Sequence, residues 1–156
     1  MAWRTTLRWA GCEGGAVSGP IIRTYPAAAS ETFKAGDIIR LIDDGTTKIA
    51  VTDETTALGQ AYEDASPGVR TLVAVFAPGH LWSIKNSGTA FASTHRDEAA
   101  AANLSATVWT CTCGTAGNAL FDVVDGDATD ATRVLVQVIG SKSQAQGYGT
   151  AAADAS

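Results

Sequence analysis

Between residues 38 and 139, short runs of large apolar side chains alternate with small or polar positions, and turn chemistry interrupts them every eight to twelve residues. That rhythm predicts an all-β chain: a single antiparallel β-barrel or sandwich. Residues 38–42 read as a strand, Asp43-Asp44-Gly45-Thr46 as a hairpin turn with Gly where φ must be positive, and residues 47–51 as the return. Residues 58–63, 71–76 and 81–85 follow, separated by Asp64-Ala65-Ser66-Pro67-Gly68 and Pro78-Gly79. Residues 106–113, 120–124 and 133–139 bring the expectation to about eight strands. The first of these, Ile38-Ile39-Arg40-Leu41-Ile42, carries large aliphatics on both faces. Each face therefore needs a cover, from the rest of the domain, a ligand or another protein.

One segment breaks the rhythm. Thr94-His95-Arg96-Asp97 has the form of a capping box, and residues 98–102 favour helix, so one short helix, or a single turn, is expected over an open end of the barrel, with Asn103 as its stop. The flanks differ again. Residues 1–30 read as an extended N-terminal arm, residues 31–139 as the β-barrel domain, and residues 140–156 as a flexible C-terminal tail too small and polar to bury anything. Burying a large apolar side chain is worth about 1.5 to 3 kcal/mol, so Trp3, Leu7, Trp9, Ile21, Ile22 and Tyr25 are costly to leave in water. Either the arm folds back over its own barrel or it lies on a neighbour, with the tryptophans as anchors.

Composition narrows the class. A chain of 156 residues holds one sizeable core, and much of the 46% hydrophobic fraction is Ala, which with abundant Gly, Thr and Ser suits closely packed strands rather than a helical bundle. Net charge is −5, yet the first 35 residues carry Arg4, Arg8, Arg23 and Lys34 against Glu13 and Glu31. An acidic body without clustered Lys and Arg excludes direct nucleic-acid binding, while the basic leader suits an acidic protein surface. Neither a secretory signal nor a membrane span is expected, and three cysteines fit a reducing compartment better than a disulfide framework.

Candidate chemistry is thin. Cys111 and Cys113 share a strand face, but two thiols do not make a zinc site, and Cys12, His80 or His95 would have to complete it. Neither histidine accompanies a nucleophile elbow. The loop from Asp125 to Asp130 invites a calcium reading but places Asp130 where the sharp bend needs Gly and Val136 where the bidentate Glu should be. Gly147-Tyr148-Gly149-Thr150-Ala151-Ala152 matches a dinucleotide fingerprint without the strand and helix that it needs. No catalytic residue, metal or cofactor is expected, and the chain reads as a non-enzyme. The enzymatic alternative is a small β-barrel metal-dependent enzyme built on Cys111, Cys113 and a histidine.

The phrase from Pro26 through Ala27-Ala28-Ala29-Ser30-Glu31-Thr32-Phe33-Lys34-Ala35-Gly36-Asp37, followed by an apolar strand, resembles the opening of capsid decoration (cement) proteins of tailed bacteriophages. The likeness continues at residues 58–65, at 73–84 and at 130–136, so it covers about residues 24–139 in four ordered blocks. The resemblance implies a structural virion protein on the capsid exterior, made in the host cytoplasm, with the major capsid protein as partner and a homotrimer on the shell. A phage tail or fibre component is the alternative. The Trp-bearing leader and the Cys-Thr-Cys strand fall outside the resembling pattern. The leader supplies the candidate partner-binding residues by its own composition: Trp3, Arg4, Leu7, Arg8, Trp9, Ile21, Ile22, Arg23 and Tyr25.

Overall fold

The structure, a computed structural model, describes residues 7–13, 19–87, 90–105, 108–114 and 116–155. Eleven strands run through these residues: β1 (Leu7–Cys12), β2 (Ile22–Pro26), β3 (Ile38–Leu41), β4 (Thr47–Ile49), β5 (Gly59–Ala61), β6 (Arg70–Val75), β7 (His80–Asn86), β8 (Ala99–Ser105), β9 (Val108–Cys113), β10 (Phe121–Asp127) and β11 (Asp130–Val138). They form two sheets. The first has the order β1-β7-β11-β10-β8-β9, and a parallel pairing of β7 with β9 closes five of its strands into a barrel, leaving β1 on the outside of β7. The second has the order β2-β6-β5-β3-β4, and a bridge between Ala27 and Thr47 brings its two edges together.

Alternation along the strands of the second sheet divides the core in two. Ile38, Ala74 and Phe76 face the first barrel and join Leu7, Trp82, Trp109 and Phe121 in one cluster. Ile39, Val73 and Val75 face the other way, against Phe33, Leu58 and Ala145. The strand with aliphatics on both faces is thus covered on both by its own protein: Ile38 and Ile39 are fully buried, in opposite clusters. The sheet lies between two packed layers, so a near-continuous apolar run is what its geometry demands.

The expected helix at residues 98–102 is a correction. In this segment the helical part is a single turn, Ser93–His95, and Ala99–Ser105 is a strand between β10 and β9. Ala100, Ala101 and Ala102 are buried there, where small side chains let neighbouring layers close in, and the paired strands on both sides override a modest helical preference.

The flanks carry structure too. Within the expected arm, Leu7–Cys12 pairs with β7 and Ile22–Pro26 with β6, so these stretches take the folded-back alternative. The expected flexible tail is laid along the body: Ser143, Gln144 and Ala145 are buried, and the Gln144 side chain bonds both the N–H and the C=O of Leu41. Burial here does not depend on large apolar groups. A small side chain and a satisfied amide can be buried at little cost.

Candidate partner-binding surface

The residues singled out for catalysis or metal binding do not converge on one site: Cys111 neighbours Cys113, and Cys12 stands opposite His80. Cys111 lies in the first core cluster with Cys113 beside it, and a hydrogen bond to Cys113, followed by burial, pushes the Cys111 thiol up while the same bond draws Cys113 down. His80 stands at the opposite end of β7 from Asn86, which is the register partner of Cys111. The indole Nε1 of Trp9 donates to His80 Nδ1 at 3.1 Å, and burial pulls the imidazole below its ordinary value. That bond leaves Nε2 as the protonated nitrogen, so Cys12, opposite His80 in register, has no free basic nitrogen to meet. His95 Nδ1 accepts the Ala92 N–H at 3.0 Å and closes its own turn. Among the described residues, no group of three His, Cys, Asp or Glu side chains is arranged to hold a metal.

The carboxylates from Asp125 to Asp130 serve the hairpin that joins β10 to β11. Asp125 accepts from Arg96 at 2.9 Å, Asp127 from Ser83 and Thr129, and Asp130 from Thr132. Each Asp to Thr pair, two residues apart, is a side-chain turn that stabilises the tip locally.

The leader residues part company. Leu7 is buried at the heart of the first cluster, Trp9 packs against it, and Ile21 and Tyr25 pack against the second. Arg23 lies over the Tyr148 ring and donates to the Gln146 carbonyl at 2.8 Å, so it pins the C-terminal segment. Of the seven that the structure describes, Arg8 and Ile22 alone are exposed. Trp3 and Arg4 lie outside the described residues.

Ile22 belongs to an apolar face that the sequence reading missed. It stands opposite Ala74 in register, while Thr24 stands opposite Leu72, and the Tyr62 N–H bonds the Leu72 carbonyl at 2.9 Å. Ile22, Leu72 and Tyr62 therefore share one face of the second sheet, and they are 39%, 37% and 38% exposed. Ala74 and Gln60 lie on the same face but are covered by the first barrel; the apolar strip is the part of that face which the barrel does not reach. A polar rim surrounds it: Arg70 donates twice to Thr24, at 3.0 and 2.6 Å, and Glu63 accepts the Leu72 N–H at 2.8 Å. Gln60 reaches from this face to the Leu7 carbonyl at 2.5 Å, which fixes the start of β1 beside the strip. An apolar centre with hydrogen-bonded polar margins is the anatomy of a protein-binding patch.

No protein-family model matches this chain, and comparison with curated proteins gives no match.

Proposed function

We propose that the chain is a structural virion protein that binds the outer surface of a phage capsid and cements adjacent major capsid protein subunits, acting as a homotrimer on the shell. The observation that carries this reading is the exposed Ile22, Leu72 and Tyr62 face on a framework whose both sheets are tied into continuous cores. The four-block resemblance over about residues 24–139 supports the choice of partner.

The mechanism is adhesion without turnover. A stiff body holds the strip in one orientation, so little conformational entropy is lost on docking. Each copy contributes a modest contact, and three copies around a local threefold axis multiply those contacts through effective concentration. Cosedimentation of the purified protein with preformed shells of its phage tests the reading. Saturable binding at a fixed ratio to capsid subunits is expected, and protein left wholly in the supernatant overturns it.

A further inference from the structure

We propose that a pocket on the outer face of the first barrel receives a glutamate side chain of a partner protein, with Arg8 as the cation that takes the carboxylate. The tip of the β10–β11 hairpin folds over β1 and β7 and leaves an open groove of about 400 Å³ between Arg8, Ala10, Ser83, Ala128, Thr129 and Leu135. The irregular registers at Val123/Asp125 and Gly126/Asp127 bend the hairpin, and the Ser83 hydroxyl pins it by donating to Asp127 at 2.6 Å.

The charges around this groove are unevenly matched. Arg8 stands opposite Ser83, and Lys85, two residues along the same strand, stands opposite Arg133, so three cations share the outer face of a chain whose net charge is −5. Arg133 is buried and engaged: its guanidinium donates to the Ser83 hydroxyl at 2.8 Å and to the Ser83 carbonyl at 2.6 Å. Asp127 also lines the groove, but its oxygens already accept from Ser83, from the Thr129 N–H at 2.9 Å and from the Thr129 hydroxyl at 2.8 Å. Asp127 and Asp130 act on Arg133, whose proton affinity is lowered by burial first and by the neighbouring Arg8 charge second. Arg8 is left exposed, with no hydrogen bond or ion pair among the described residues. A guanidinium fork beside a like charge is relieved by a carboxylate, which it can bind through two parallel N–H donors. Ala10, Ala128 and Leu135 offer apolar wall to the methylene stem that precedes such a carboxylate, which favours Glu over Asp.

The capsid as the source of that glutamate rests on the function proposed above; the pocket's chemistry does not. A hexaglutamate peptide is the probe, with hexaglutamine as control, titrated at low salt into ¹⁵N-labelled protein. Expected shifts fall on the Arg8 Nε–H and on the amides of Ser83, Ala128 and Thr129, and they fade as salt rises. Arg8→Ala should weaken binding about threefold to tenfold, whereas Lys34→Ala, at an exposed pair with Asp64 beside the second sheet, should leave it unchanged. No shift at low salt, shifts confined to other surfaces, or equal binding by Arg8→Ala would overturn the pocket. Peptide binding by a protein that ignores shells would leave the pocket standing and remove the cement reading. Shell binding that neither free peptide nor Arg8→Ala disturbs would do the reverse.

Discussion

The indole Nε1 of Trp109 donates to the Asp37 carboxylate at 3.0 Å, and both residues are fully buried. Trp109 lies on β9 of the first sheet and Asp37 immediately precedes β3 of the second, so one bond joins the two halves of the molecule. The other Asp37 oxygen accepts the Lys34 N–H at 2.8 Å, which shapes the Lys-Ala-Gly-Asp turn into β3. Trp109→Phe keeps most of the apolar contact and removes the donor. The expected loss is about 1.5 to 3 kcal/mol of unfolding free energy, read by urea denaturation, because a charged acceptor is left short inside the protein.

Trp9 is expected to matter for folding at least as much as for attachment. Its ring packs on the first core cluster and its Nε1 holds His80, so Trp9→Ala should cost about 2 kcal/mol, below the figure for a fully buried Trp. Thermal unfolding checks this. An unchanged melting temperature with weakened shell binding would return Trp9 to the role of external anchor.

How far these relationships were legible depended on which force decided each element. The strands at 38–42, 47–51, 71–76 and 133–139 announce themselves through β-branched and large aliphatic residues bounded by Gly, Pro and Asp, and each reappears within a few residues of its expected limits. β8 could not be read that way, since Ala-Ala-Ala-Ala favours helix by propensity and becomes a strand only because β9 and β10 flank it. β1 and β2 were hidden by the glycines around them, and their partners lie far along the chain. The exposed strip was invisible for a related reason: Ile22, Tyr62 and Leu72 come from three separate segments, and only the register of β2, β6 and β5 brings them to one face. Arg8 was legible as a candidate from the excess positive charge of the leader; that Arg23 is used internally was not.

Gly59 on β5 stands opposite Val75 on β6. A Cβ there would collide with the Ala74 carbonyl oxygen and lie 2.8 Å from Val75 Cα, both backbone atoms that cannot swing aside. Gly59→Ala is expected to cost about 3 kcal/mol or more, measurable as a lowered denaturation midpoint or loss of soluble protein.

The C-terminal segment should behave as part of the fold. Ending the chain at Lys142 removes buried Ser143, Gln144 and Ala145, and with them the Asp154 carboxylate that meets Arg40 at 3.3 Å. The melting temperature is expected to fall by about 5 °C or more. A truncated protein that melts with the full chain would restore a free tail.

Acid should loosen the hairpin that covers the Arg8 pocket. The Ser83 hydroxyl, followed by the Thr129 N–H and hydroxyl, holds the Asp127 carboxyl down to about 2, below its ordinary 3.8. A carboxyl whose value is depressed in the folded state stabilises above its unfolded value, so this contribution is complete above about pH 4 and is lost as pH falls toward 2. Asp127 is largely solvated, which keeps the effect under about 1 kcal/mol. Denaturation at pH 5 and pH 3 should show a smaller difference in Asp127→Asn than in the unmodified protein.

Replacing Ile22 and Leu72 together by Ser tests most directly whether the outward strip is what attaches this protein to its partner. Both side chains are more than one-third exposed, so the melting temperature should move by only about 3 °C or less. Cosedimentation with shells should fall about tenfold or more, as expected when the apolar centre of an interface is removed. A doubly substituted protein that saturates the shells at the unmodified concentration would contradict the account.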